Sequence, residues 1–203
     1  MPDLLLFLIT SVAITVAPGP DNLQVLARGM AQGRRAGVAA GLGFASGCLV
    51  HTVVAAVGLA AVLRSSPLVF EAIKLAGAAY LVWLGVQALR SRGALAGGMD
   101  SAAVPLGKVF RQSVLANLMN PKVTLFFLVF LPQFVKADAA DAGWQMLLLG
   151  VVFMLQTAVV FTAFALCAGT LGGWLRRRPG AGRWLDRVAG AIFLALGIRV
   201  ALP

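Results

Sequence analysis

Residues 15–29 read TVAPGPDNLQVLARG and determine how the first part of this chain folds. Two prolines flank a glycine, and Asp21 and Asn22 follow directly, within a segment that is otherwise apolar. Proline removes a backbone donor and clashes with the preceding helical turn. The stretch therefore predicts a helix that breaks at Pro18 and Pro20 and then restarts with a carboxylate and an amide at the break.

The composition around this stretch indicates a membrane protein. Of the 203 residues, 60% are hydrophobic and 12% are charged, and the mean hydropathy is +0.92. This leaves too little polar surface for a water-soluble globule. A membrane-spanning helix needs about 20 predominantly apolar residues, so we predict an all-α integral membrane protein, a single domain over residues 1–203 with six transmembrane helices. The six segments are 4–27, 36–63, 67–89, 113–135, 144–171 and 184–202.

The net charge of +10 does not indicate nucleic-acid binding, because the cations are spread over connections and form no patch. The only cations in the even-numbered connections are Arg64 and Lys136. By the positive-inside rule we predict that the odd connections are cytoplasmic and that both termini lie outside. The cations assigned to the odd connections are Arg28, Arg34, Arg35, Arg90, Arg92, Lys108, Arg111, Arg176, Arg177, Arg178, Arg183 and Arg187.

The second half of the chain contains a matching interruption. Its first span is interrupted by the stretch 117–122, which begins with Asn117 and contains Asn120, Pro121 and Lys122. Three spans per half mean that the halves enter the membrane from opposite sides, so we predict two inverted repeats, about 1–90 and 111–203, with a linker at about 91–110. Paired interruptions at corresponding positions of inverted repeats are the best sequence indicator of a transporter's substrate site.

Ionisable residues inside membrane spans are costly and are candidates for function. Asp21 has two readings: it either caps the helix that restarts after Pro20 or takes part in transport. Lys122 lies too deep for a simple interfacial lysine, which favours a pathway role. We hypothesise that the two residues face one cavity and bracket the charges of a zwitterion. Helix N-termini favour anions, so the restart after Pro121 is the expected seat for a carboxylate.

Two further titratable residues are candidates for proton coupling. Glu71 and Lys74 are spaced i and i+3 and either form a structural pair or belong to a proton relay. His51 titrates in a range that suits proton coupling, although a hydrogen-bonded structural histidine fits the position equally well.

Small residues dominate the second span. Gly37, Gly41, Gly43 and Gly47 form two overlapping four-residue spacings, which allow close helix packing in lipid. We expect no metal site, because a lone histidine without clustered thiols or carboxylates makes a poor ligand set. We also expect no cofactor, since no glycine-rich phosphate loop is present.

Several stretches in order resemble the lysine exporter (LysE/RhtB) family of bacterial amino-acid exporters. They are APGP with Asp21 and Asn22, GRRAGVAAGLGFASGCLVH, IKLAGAAYLVWLGVQALRS, and FRQSVLANLMNPKVTLFFLVFLPQFV. The resemblance covers nearly the whole chain. Its motifs fall on Pro18, Gly19, Pro20, Asp21, Asn22, His51, Asn120, Pro121 and Lys122.

The resemblance implies export of an amino acid or a derivative from the bacterial cytoplasm. It further implies a secondary transporter of the inner membrane, driven by the proton motive force, with a homodimer as a possible assembly. Two alternatives stay open at this point. One is a thiol-redox membrane enzyme in which Cys48 and Cys167 meet between the halves, and the other is efflux of a cation or another small metabolite.

Overall fold

A computed structural model describes residues 4–59, 61, 66–91, 104–135, 141–177 and 179–201. These residues form eight helices and no strand. Both chain ends and most of the linker lie outside the described residues. The same holds for four cations assigned above to connections, at positions 64, 92, 136 and 178. The helices are α1 Leu4–Val16, α2 Pro20–Gln32, α3 Arg34–Val54, α4 Pro67–Arg90, α5 Leu106–Leu118, α6 Pro121–Leu125, α7 Ala142–Arg177 and α8 Pro179–Ala201.

The predicted break in the first span is present. α1 ends at Val16 and α2 begins at Pro20, and the two helices meet at an angle of 59°. Proline fits the first position of α2 because that backbone nitrogen needs no helical partner. α2 continues past the expected end of the span to Gln32. It stops at Gly33, whose φ of 86° is a left-handed conformation that glycine adopts readily.

The second span of this kind breaks between α5 and α6, with a bend of 52°. α6 begins with Pro121 and is extended by a π-helical turn, Phe126–Phe130, and a 3₁₀ turn, Leu131–Phe134. A second π-helical turn, Ala55–Leu59, extends α3. Such turns leave the regular hydrogen-bond pattern of an α-helix and are frequent near functional sites.

The glycines of α3 place this helix between two neighbours. A Cβ atom on Gly37 or Gly41 would lie 2.9 Å from the Cβ atom of Ala165 or Phe161, both on α7. A Cβ on Gly47 would lie 2.5 Å from Asn117 Oδ1 on α5, and one on Gly43 would collide with the carbonyl of Phe110. Each four-residue spacing therefore serves a different partner helix.

α4 and α8 form a pair at the periphery. A Cβ on Gly190 of α8 would lie 2.8 Å from the carbonyl oxygen of Gly85 in α4, and one on Gly197 would lie 2.9 Å from the carbonyl of Ala78. The two backbones are thus in close contact, in the way that small residues permit between helices in lipid.

Three described helices are long and apolar enough to cross a membrane, or up to five spans if each bent pair counts as one. These cover the first five predicted segments. The sixth, α8, is not among them; it contains Arg183, Asp186, Arg187 and Arg199. Six spans therefore stay a prediction.

α2 and α5 run antiparallel beside each other. Asp21 is bonded to Asn117 at one end, and Gln32 Oε1 accepts a hydrogen bond of 3.3 Å from Val104 N at the other. The basic residues near the α2–α3 junction and at the start of α5 consequently share one end of the molecule, called the basic end below. The prediction that Arg28 lies in a connection is wrong. Arg28 lies inside α2 and is buried, because the chain turns only at Gly33.

Candidate functional site

Asp21 lies at the junction of the two broken spans. It is buried, and its two carboxylate oxygens accept hydrogen bonds from Asn117 Nδ2 at 3.1 Å and Asn120 Nδ2 at 2.6 Å. Both asparagines belong to the break between α5 and α6. The first break thus supplies the carboxylate and the second supplies its donors, which reduces the cost of burying the charge.

Lys122 crosses in the opposite direction, from the second break to the first. Its Nζ donates to the carbonyl of Ala17 at 3.1 Å, to that of Ile14 at 3.4 Å and to Asn22 Oδ1 at 3.5 Å. The carbonyls at the end of α1 have no continuing helix to bond with. A lysine ammonium therefore satisfies them and also faces the negative end of the α1 dipole.

The residues after each proline have different local roles. Asn120 caps α6, because its Oδ1 accepts from Lys122 N at 3.0 Å. Asn22 Nδ2 instead donates to the carbonyl of Thr15 at 2.7 Å, and neither it nor Asp21 caps α2, whose N-cap is Gly19. The Asn120 side chain therefore already caps the restart after Pro121, where the sequence predicts a carboxylate seat.

The two charged residues line one small cavity of about 20 Å³. A cavity of this size holds about one water molecule. Its polar wall includes Asp21 and Lys122. The remaining lining residues are Ile14, Thr15, Cys48, Asn117, Val123, Phe126, Phe153, Thr157 and Phe161. One part of the lining is thus charged or polar, and the other is aliphatic and aromatic.

His51 and Cys48 approach this cluster from α3. His51 Nε2 lies 3.3 Å from the carbonyl oxygen of Asn117, and the ring stacks on Phe127 at a centroid distance of 5.6 Å. Cys48 Sγ lies 3.9 Å from Asn117 Oδ1. Asn117 therefore contacts Asp21, Cys48 and His51 at once.

Two candidates lie apart from the cluster. Glu71 is 53% exposed and pairs with Lys74 at 3.0 Å, and it does not line the cavity. Cys167 is exposed whereas Cys48 is buried, and both thiols are free. The expectation that the cysteines meet between the halves is wrong, because Cys167 lies on an outward face of α7.

Glycine makes room for the polar side chains of the site. A Cβ on Gly19 would lie 2.8 Å from Lys122 Nζ, so this ammonium is pressed against the backbone between the two prolines. Gly47 admits Asn117 in the same way. The absence of a side chain at both positions is therefore a steric condition for the hydrogen bonds between the two breaks.

The sequence reasoning did not assign Asn117, although it precedes Asn120 by one helical turn and stands in the same interrupted stretch. A further polar side chain at this level is Gln156 on α7. Gln156 Nε2 donates to Thr15 Oγ1 at 2.7 Å and to Thr157 Oγ1 at 2.9 Å, and both hydroxyls line the cavity. A run of polar residues at the level of the proline breaks is the signal that could have pointed to them.

Two broken helices whose charged residues interlock inside an apolar helical bundle define a class of membrane transporter. Residues 12–203 match the LysE type translocator family, and the chain belongs to this family.

Similar proteins extend over nearly the same length. The chain is 32% identical over 195 residues to a homoserine/homoserine lactone efflux protein of Salmonella typhimurium, covering 96% of this chain and 94% of that protein. It is 33% identical over 198 residues to an uncharacterized membrane protein of Vibrio cholerae, at 97% and 95% coverage. It is 28% identical over 200 residues to a leucine efflux protein of an Enterobacter strain, at 96% and 93% coverage. No solved structure matches the chain.

The family resemblance inferred from the motifs is confirmed by this match. The protein is a membrane transporter and not an enzyme. The thiol-redox alternative is therefore set aside, in agreement with the separate positions of Cys48 and Cys167.

Proposed function

We propose that this protein exports an amino acid with a neutral side chain, or a close derivative, from the bacterial cytoplasm. The observation that carries the proposal is the pair Asp21 and Lys122, contributed by opposite breaks and lining one cavity. The relatives named for efflux of homoserine or its lactone and of leucine support it, since homoserine and leucine are zwitterions with uncharged side chains and the lactone is a close derivative.

Asp21 is the proposed partner of the substrate ammonium. An ionised carboxylate has about four acceptor positions, and the hydrogen bonds that Asp21 accepts from Asn117 and Asn120 use two of them. Asp21 also lines the cavity. An ammonium group placed there would compensate the buried charge, so binding is favoured by electrostatics as well as by hydrogen bonds.

The carboxylate seat is proposed at the start of α2, beside Lys122. The N-cap of α2 is Gly19, which has no side chain to accept from the first amides of the helix. Lys122 Nζ lies against the same glycine. Free helical amides, the positive end of the dipole and an ammonium thus converge at one point. A carboxylate would replace Asn22 Oδ1, the most distant of the three present acceptors at 3.5 Å.

The apolar lining fits a neutral side chain. Phe126, Phe153 and Phe161 face the cavity beside Ile14 and Val123. Asp21 and Lys122 are the charged residues in this lining. In the proposed binding mode they pair with the α-ammonium and the α-carboxylate of the substrate. A cationic side chain would require a further carboxylate at the wall, because burying an unpaired charge is expensive.

Transport requires the two breaks to separate, because a cavity of about 20 Å³ does not admit an amino acid. We propose that the halves are inverted repeats that rock around the breaks, so that the site opens first to the cytoplasm and then outward. In this proposal the basic end faces the cytoplasm and the membrane is the bacterial inner membrane.

Proton coupling is proposed to use Asp21 and His51. Both contact Asn117, so a proton that arrives at one changes the hydrogen bonds available to the other. An incoming proton on Asp21 would neutralise the site that holds the substrate ammonium, and this would favour release on the outer side. A homodimer, implied by the family resemblance, stays a prediction.

The test is efflux from cells loaded with dipeptides, which cytoplasmic peptidases split into free amino acids. The panel contains leucine, homoserine, lysine and glutamate, measured with the unaltered protein, Asp21→Asn, Lys122→Gln and the exposed control Asp141→Asn. We expect faster efflux of leucine or homoserine than of lysine or glutamate, lost in the first two variants and kept in the control. A protonophore should abolish the net accumulation of the exported amino acid outside the cells.

Equal efflux of all four amino acids with and without the protein would refute the proposed function. It would point instead to a cation or another small metabolite. Efflux of lysine alone would refute the neutral side chain and leave amino-acid export standing.

A further inference from the structure

Arg28 is a buried cation that the site described above does not use. It is 8% exposed, and its Nη2 donates to Gln112 Oε1 at 3.2 Å. Its Nε and Nη1 are buried without a hydrogen-bond partner in the described part of the chain. An arginine stays charged in proteins and offers five donors, so two unpaired buried nitrogens leave this charge undercompensated.

A second buried group without a partner stands on α5. Ser113 is 1% exposed, and its hydroxyl has no partner among the described residues. It shares a face of α5 with Asn117, one turn away, and follows Gln112, the partner of Arg28. Buried hydroxyls and guanidinium groups without partners are rare in native proteins and call for an explanation.

The positions of these residues form a line that leads inward. Asp21 and Arg28 are seven residues apart on α2, about 10 Å along the helix at 1.5 Å per residue, and both are buried. The antiparallel register places Asn117 beside Asp21 and Gln112 beside Arg28. Arg28 is therefore nearer the basic end, and the central site lies farther inside.

We propose that Arg28, with Gln112 and Ser113, forms a second site that receives the carboxylate of the substrate at the basic end, before the substrate moves to Asp21 and Lys122. The inference rests on the proposed function and extends it by a first binding step. The two sites are used one after the other, because about 10 Å separates Arg28 from Asp21 along the helix, whereas the two charged groups of an amino acid are attached to one carbon atom.

The chemistry selects a carboxylate of a small solute. The two unpaired guanidinium nitrogens of Arg28 are donors only, and the Ser113 hydroxyl can donate as well. The ligand group must therefore be an acceptor, and a charged acceptor gives the stronger hydrogen bonds. Arg28 is enclosed by protein whereas the neighbouring Arg111 is exposed. A lipid phosphate would bind an exposed cation such as Arg111 more readily than a buried one.

The experiment uses purified full-length protein in proteoliposomes, with L-leucine as the probe and its KM measured separately at each face. The variants are Arg28→Gln, Arg28→Lys and Ser113→Ala, and the matched control is Arg111→Gln. We expect Arg28→Gln to raise the KM at the basic end about tenfold, the effect of one lost hydrogen bond to a charged group. The maximal rate of transport from the basic end should stay within about twofold.

Arg28→Lys should have a KM at the basic end between those of Arg28→Gln and the unaltered protein, because lysine keeps the charge and loses the planar set of donors. Ser113→Ala should raise the same KM by about threefold, a smaller loss of one neutral hydrogen bond. Inhibition by L-leucinamide, which lacks the carboxylate, should be the same in Arg28→Gln and the unaltered protein.

Three results would overturn the inference. The first is an equal KM in Arg28→Gln and Arg111→Gln while the unaltered protein transports leucine, which would leave the proposed function intact. The second is an unchanged KM with a lower maximal rate from the basic end, which indicates a structural role. The third is loss of the Arg28→Gln effect in vesicles without anionic phospholipid, which assigns the guanidinium to a lipid phosphate. Absence of transport by the unaltered protein, for leucine and homoserine alike, would refute both proposals.

Discussion

Glycine allows close packing both at the central breaks and in the peripheral pair α4–α8, but the groups that it brings together differ. At the breaks, Gly19 and Gly47 make room for polar groups, Lys122 Nζ and the side chain of Asn117. In the periphery, a Cβ on Gly85 would meet Leu194 and the carbonyl of Gly190. Close packing brings charges and amides together in the first region and apolar surfaces in the second.

This difference assigns separate tasks to the two regions. The central cluster is held by directional bonds that must be broken for the cavity to open. The peripheral pair is held by van der Waals contact, which changes little when neighbouring helices move as a body. We therefore expect substitutions at the breaks to alter transport and those in α4 and α8 to alter stability.

The largest effect is expected from Asp21→Asn. The change keeps the volume and removes the charge, so the substrate ammonium loses its partner. Asn117 can present its oxygen to the new amide, and the protein should fold. Initial rates of efflux should fall about 100-fold or more, as expected for an intramembrane ionisable residue with a direct role. Rates within about threefold of the unaltered protein would show that the carboxylate is structural.

Gly47→Ala should disturb both folding and transport. The new methyl group would meet Asn117 Oδ1 at 2.5 Å and push α3 away from α5. Overpacking of this kind costs about 1–3 kcal/mol. Thermal unfolding in detergent and efflux should both decline, whereas Gly169→Ala on α7, where nothing lies within 4 Å, should change neither.

Gly85→Ala tests the peripheral side of the comparison. Its Cβ would lie 2.7 Å from Leu194 Cγ and 2.9 Å from the carbonyl of Gly190. We expect a loss of about 1–2 kcal/mol in the free energy of unfolding, with transport per folded molecule within about twofold. A selective loss of transport with unchanged unfolding would remove the division between the regions.

Glu71→Gln should have the smallest effect. The carboxylate is 53% exposed and pairs with Lys74 on the same helix, an arrangement worth about 0.5 kcal/mol or less. Unfolding, transport rate and the dependence of transport on the proton gradient should all match the unaltered protein. A transport rate that no longer responds to the gradient would return Glu71 to the proton pathway.

The sequence was sufficient to predict the helices and the breaks, because proline acts locally through its missing donor and fixed geometry. It also predicted that Asp21 and Lys122 line one cavity. It could not place Arg28 inside α2, since the turn depends on the left-handed conformation of Gly33. The role of Asn117 and the separation of the cysteines depend on how α3, α5 and α7 pack, which no local pattern encodes.

The proposed carboxylate seat at the start of α2 differs from the predicted one after Pro121 for a related reason. Both restarts begin with proline, and the sequence alone gave no basis for choosing between them. The choice follows from Asn120, whose side chain caps its own helix and leaves the start of α2 as the open end.

The central claim is that Asp21 holds the ammonium and Lys122 the carboxylate of one substrate. It is tested most directly by equilibrium binding of three ligands to the purified protein, Asp21→Asn and Lys122→Gln. The ligands are L-leucine, L-leucinamide, which lacks the carboxylate, and 4-methylpentanoate, which lacks the amine. We predict that Asp21→Asn weakens the binding of leucine and leucinamide about tenfold and leaves the binding of 4-methylpentanoate unchanged. We predict that Lys122→Gln weakens the binding of leucine and 4-methylpentanoate and leaves the binding of leucinamide unchanged. Equal weakening of all three ligands in both variants would contradict the claim.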